Sequence, residues 1–164
     1  MMKNNTLKLT YTAVMTAVIC VVTMLVKIPL PYGYANISDA VILLFCAVVG
    51  HYALIAASLG TMLADIFSGY AMYAPYTFVI KMLVALIGVY ACKQRSALMR
   101  TFLFAVAQCA MVVGYFFTDW LFYGMQGAIG TLFGNSMQGV VCVVIATLLY
   151  RPIVHATKWL KIDN

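Results

Sequence analysis

The stretch ADIFSGYAMYAPYTFVIK, residues 64–81, holds an aspartate, three tyrosines, a proline and a lysine within eighteen residues of an otherwise apolar chain. Ionisable groups at membrane depth are costly unless they are paired, wet or used. Lys81 is the sharpest of them. At 1.5 Å per residue it lies about 9 Å along its helix from Pro75, too deep for its ammonium to snorkel out. It therefore needs a carboxylate or a water-filled cavity. Asp65 is the expected partner, because the short connection between them makes the third and fourth helices antiparallel neighbours. A purely structural ion pair is the plain reading. A ligand cavity is the functional one, favoured by the other polar groups nearby.

Those groups recur at corresponding places. Asp39 begins the second helix, Asp65 ends the third, and Asp119 nears the end of the fifth. Tyr70, Tyr73 and Tyr76 cluster with Tyr32, Tyr34, Trp120 and Tyr123 in the connections on that same side. Tyrosine and tryptophan favour the membrane interface, so an aromatic belt accounts for them. Aromatic faces with a few polar groups also hold flat, ring-bearing ligands. Asn36, Asp39, Thr77, Asn135 and Gln138 are placed to supply the polar contacts. The sixth segment opens with Gly127, Gly130, Gly134 and Gly139, which suits a close helix contact as well as a site.

The elements that position these residues follow from composition. Hydrophobic residues make up 65% of the 164 and charged ones 9%, and mean hydropathy is +1.00. Soluble domains carry about 25% charge, so this is an all-α integral membrane protein. At roughly 20 residues per span the chain holds about six helices in a single domain, residues 1–164. The basic excess of ten Lys+Arg over four Asp+Glu sits in the flanks of apolar runs and does not imply nucleic acid. Cys20, Cys46, Cys92, Cys109 and Cys142 fall one to a segment without a CxxC pair, as packing residues do. The first apolar run reads as a retained span rather than a cleaved signal.

Apolar runs stand at 9–26, 75–92, 97–118 and 128–150, and the long stretch from Ile37 to Phe67 divides at Gly50-His51-Tyr52. Charge tests the division. With six spans, Lys3, Lys8, Lys93, Arg95, Arg100, Arg151, Lys158 and Lys161 share one side and only Lys27 takes the other. The positive-inside rule makes that basic side, with both termini, cytoplasmic. Connections 27–38, 68–75 and 120–128 then face outward, and the ionisable residues of the spans lie in their outer halves.

In the third helix the small-residue rows Ala53, Ala57, Thr61 and Ala56, Gly60, Ala64, Ser68 suit close packing at the centre of the bundle, turning Asp65 inward. Ala13 and Ala17 form an AxxxA step in the first helix, a common contact pattern. His51 and His155 have no neighbours at metal-ligand spacing, and neither a metal nor a cofactor is expected. GxxxxGK[ST], HExxH and GxSxG motifs are absent, as is glutamate, so the chain has no phosphate loop and offers no catalytic set.

The strings YANISDAVILLFCAVVG and LGTMLADIFSGYAMYAPYTFVIK resemble the S component of energy-coupling factor (ECF) vitamin transporters, in the riboflavin-type branch. The resemblance runs through Asn36, Asp39, Leu63-Ala64-Asp65, Gly69-Tyr70, Tyr73-Ala74-Pro75, Thr77-Phe78 and Lys81, within about residues 34–88. It implies a six-helix substrate-binding subunit with an outward cavity, covered by the loop after the first helix. It also implies a transmembrane scaffold partner carrying two cytoplasmic ATPases, contacted through Ala13 and Ala17. His51 departs from the proline frequent after that glycine. The branch covers several ligands, so riboflavin, a pyridoxine-like ring and a pyrimidine precursor all remain open.

The expected function is thus vitamin capture from outside a prokaryotic plasma membrane for ATP-driven uptake. Asn36, Asp39, Asp65, Tyr70, Tyr73, Thr77, Lys81, Asp119, Asn135 and Gln138 are the candidate binding residues, with Asp65 and Lys81 at the cavity floor. The competing reading is a self-sufficient small secondary transporter or channel, working without an ATPase.

Overall fold

The computed structural model describes residues 2–30, 32 and 34–158, with side chains from Thr6 onward. The order is α1 (Met2–Leu25), β1 (Lys27–Pro29), β2 (Tyr34–Asn36), α2 (Ser38–Val49), α3 (Tyr52–Phe67), α4 (Ala74–Cys92) and a helical stretch, Ala97–Ala156. That last stretch would extend about 90 Å if straight, three times the hydrocarbon core of a bilayer. It is broken at Gly124, where φ 71° and ψ −174° suit only glycine. Its two arms, α5 (97–123) and α6 (125–156), fold back antiparallel. Thr101 and Thr147, equidistant in sequence from Gly124, meet at 3.3 Å.

Three segments are long and apolar enough to cross a membrane: Thr6–Leu25, Ala74–Cys92 and Ala97–Ala156. Helices α2 and α3, of 12 and 16 residues, are shorter, spanning about 18 and 24 Å. They part at Gly50, whose φ of 58° ends α2, and α3 resumes at Tyr52. The expected division at Gly50-His51-Tyr52 is where the chain turns.

Helix α3 lies between α1 and α4, and its small residues explain why. Ala53, Ala56, Ala57 and Ala64 are fully or almost fully buried. A Cβ on Gly60 would stand 2.7 Å from the backbone oxygen of Thr16 in α1, so that approach requires glycine. Ile19, Leu43, Val49, Val84, Phe104 and Met111 fill the core around it. Leu9, Leu25, Phe102, Phe133 and Leu148 point away from the bundle, as lipid-facing residues do.

The two ends of the bundle differ in kind. At one, the Lys8 ammonium lies 5.4 Å from the Tyr52 ring centre and the Arg100 guanidinium 3.8 Å from that of Tyr150. At the other, β1 and β2 form an antiparallel hairpin that pairs Lys27 with Asn36 and Pro29 with Tyr34. The Lys27 ammonium bonds the Ser68 hydroxyl at 2.5 Å, tying this hairpin to the α3–α4 turn.

Candidate ligand cavity

The cavity lies under the hairpin, and Lys81 shows how it is built. Its side chain is 1% exposed, and its ammonium donates to both oxygens of Asp39, at 2.7 and 2.9 Å. Asp39 stands in the first turn of α2, where the helix dipole favours an anion. The Gln138 amide donates to Asp39 Oδ2 at 2.8 Å, and its Oε1 accepts the Asn36 backbone N–H at 2.8 Å. Asn36 Oδ1 in turn accepts the Ser38 backbone N–H at 2.9 Å. The pair is fully desolvated but closed by hydrogen bonds, the condition under which a buried ion pair is tolerated.

The partner of Lys81 is thus Asp39, not Asp65 as expected from the short α3–α4 connection. That connection places Asp65 beside the start of α4: the Tyr70 N–H bonds the Asp65 carbonyl at 2.8 Å. Lys81 lies farther down α4, where the chain meets the N-terminus of α2. Asp65 instead accepts the Tyr34 hydroxyl at 2.6 Å, from the hairpin.

Asp119 organises the other side. Its Oδ1 accepts the Tyr73 hydroxyl and its Oδ2 the Thr131 hydroxyl, each at 2.5 Å, joining the α3–α4 turn, α5 and α6. Burial, reinforced by the neighbouring carboxylates, pushes the Tyr34 and Tyr73 phenols in these connections far above their ordinary range. Both stay protonated, and both remain donors. The Tyr34 ring lies 5.1 Å from that of Tyr70, and Tyr32 stacks on Tyr123 at 4.5 Å.

Nine of the ten candidate residues line this one cavity: Asn36, Asp65, Tyr70, Tyr73 and Thr77, then Lys81, Asp119, Asn135 and Gln138. Asp39 stands behind the wall, holding Lys81. Sequence reasoning passed over Tyr115, whose hydroxyl is 3.2 Å from that of Thr77 and whose ring centre is 5.2 Å from the Lys81 ammonium. It lies in the aromatic run YFF, where nothing in composition separates a cavity tyrosine from a lipid-facing one. Thr23, Leu30 and Thr61 also line the wall, with Tyr32 and Tyr34 of the hairpin. Trp120, grouped with the outward aromatics, is half-exposed and absent from the lining. Ala13 and Ala17 lie on the outward face of α1 with Val14, Val18 and Val21. Among the described residues no three His, Cys, Asp or Glu side chains converge as metal ligands would.

A bundle of apolar helices enclosing a polar, aromatic-walled cavity defines a membrane protein with a small-molecule site. The pattern of the family described as "ECF-type riboflavin transporter, S component" matches residues 3–155, and the chain belongs to that family. An "Uncharacterized protein in gap 3'region" from Pyrococcus woesei is 34% identical over 134 residues, covering 77% of this chain and 88% of that one. S components are substrate-binding membrane subunits of transporters rather than enzymes.

Proposed function

We propose that this chain, as one domain, captures a vitamin or vitamin precursor from outside a prokaryotic cell for ATP-driven uptake. The ligand is riboflavin, a pyridoxine-like ring or a pyrimidine. One observation carries the reading: buried polar side chains from α3, α4, α5, α6 and the hairpin converge on a single cavity. That cavity lies at the end opposite the Lys8 and Arg100 contacts. The basic end faces the cytoplasm by the positive-inside rule, so the cavity opens outward and the six helical rods make six crossings. The hairpin 27–36 closes over the ligand. A transmembrane scaffold with two ATPases docks on the exposed Ala13–Ala17 face of α1 and supplies the energy, since this chain has no phosphate loop.

The test is mass spectrometry of small molecules released from protein purified in mild detergent. A stoichiometric flavin, pyridine or pyrimidine is the expected result. Uptake driven by an ion gradient in vesicles holding this chain alone would overturn the reading in favour of a self-sufficient transporter.

A further inference from the structure

We propose that a second copy of this chain docks against the seam between α5 and α6, and that the carboxamide of Gln108 is the polar clasp of that contact. The inference rests on α5 and α6 crossing the bilayer, as proposed above, and is independent of the ligand.

The seam is an apolar groove walled by Ala105, Gln108 and Cys109 of α5 and by Ser136, Gly139 and Val140 of α6. Glycine at 139 lets the two arms close on Gln108, because a Cβ there would stand 3.2 Å from the Gln108 Cβ. Gln108 is 3% exposed, yet neither its Nε2 nor its Oε1 has a hydrogen-bond partner among the described residues. Gln138, beside Gly139 on α6, is by contrast bonded at both ends. A buried polar group without a partner is rare in a native fold and calls for an explanation. Depth sharpens the question. Gln108 stands eleven residues past Ala97, the first of α5, about 16 Å along the axis and so near the middle of a roughly 30 Å hydrocarbon core. No water is present there to bond an amide. Acyl chains bring neither donor nor acceptor, and lipid headgroups lie at the surface. A polar side chain on another helix brings both, as Asn and Gln do between membrane helices. Nothing tethers the Gln108 amide, and its unbranched stem lets it swing into the groove to meet one.

Symmetry selects the helix. Every copy of this chain carries its basic end on the same side of the membrane, so a two-fold axis between two copies runs along the membrane normal. Gln108 of one copy then stands level with Gln108 of the other. A carboxamide holds two N–H donors and a carbonyl acceptor, so the pair satisfies itself by reciprocal N–H···O=C bonds. Val106, Val113, Val140 and Val144 are exposed around the groove and supply the apolar flanks. Helix α1 packs on α3, whereas the two arms pack on α4 and α2. The contact therefore leaves the Ala13–Ala17 face open for the scaffold.

Cys109, exposed on the same wall, is a native reporter. The test is oxidation of the full chain in bacterial membranes with copper–phenanthroline, read on a non-reducing gel. We expect a disulfide-linked dimer that vanishes in Cys109→Ser. It should fall about fivefold in Gln108→Leu, the scale of a hydrogen bond between membrane helices. Leucine removes an unbonded polar group, so this variant should melt no lower than wild type in detergent. Val140→Trp fills the groove from an exposed position and should abolish the link as well, which keeps the test open if Gln108→Leu fails to insert. A membrane-inserted chain that gives no Cys109 link, or a link that survives both groove variants, overturns the assignment and leaves the crossing reading standing. Scaffold co-purification that depends on Gln108 overturns it too, and gives the groove to that partner. A wild-type chain that washes out of membranes at alkaline pH overturns both.

Discussion

Replacing Lys81 with methionine separates the structural from the binding role of the buried pair. Methionine fills a similar apolar volume but leaves Asp39, which is 0% exposed, with only the Gln138 amide as a side-chain partner. Breaking a buried pair by removing one member costs about 3–5 kcal/mol, because the remaining charge is uncompensated. Adding Asp39→Asn removes that charge. Neutral replacements of a whole buried pair are often harmless or stabilising, so the double variant should recover most of the lost stability. The cycle yields the coupling between the two residues directly. Insertion into the membrane should survive in both, since the apolar segments that drive it are unchanged. Unfolding in detergent reads stability, and titration with the ligand found by mass spectrometry reads binding. We expect binding to be lost or sharply weakened in both variants, including the double variant whose stability returns. A Lys81→Met protein as stable as wild type would refute the charge argument. A double variant that binds like wild type would remove the pair from the site.

Three further outcomes follow from particular contacts. Tyr73→Phe removes one donor from buried Asp119 and should cost about 1.5–3 kcal/mol, the range for a hydrogen bond to a charged group, read by unfolding in detergent. Gly60→Ala places a methyl group against the Thr16 backbone oxygen of α1. The helices must separate, with a loss of about 1–3 kcal/mol typical of overpacking, visible as a lower melting temperature. Ala13→Trp with Ala17→Trp adds bulk to an exposed face of α1. It should abolish co-purification with the scaffold and ATPase subunits while leaving ligand affinity unchanged; retained capture would move the docking face elsewhere.

Much of this architecture is legible in the residues alone. Apolar runs mark where helices lie because burying backbone polar groups in hydrocarbon leaves few alternatives to helix. Glycine at position 50 and the polar residue after it mark a turn inside an unbroken apolar stretch for the same reason. The small-residue rows of α3 identify the helix held closely between α1 and α4, since only small side chains allow such close contact. The centre of the bundle, next to both 97–156 arms, is taken by α2 and α4 instead. The polar residues of one cavity are also legible as a set, because each breaks an apolar run toward the same end of its helix.

Sequence position gives depth along a helix but not rotation about it. Three aspartates lie toward the same end of the bundle, and nothing in their spacing says which one meets Lys81. Tertiary packing decided this by bringing the N-terminus of α2 to the level of Lys81, leaving Asp65 for the hairpin tyrosine. The same ignorance of azimuth hid Tyr115, which turns inward from an aromatic run, and overvalued Trp120, which turns out.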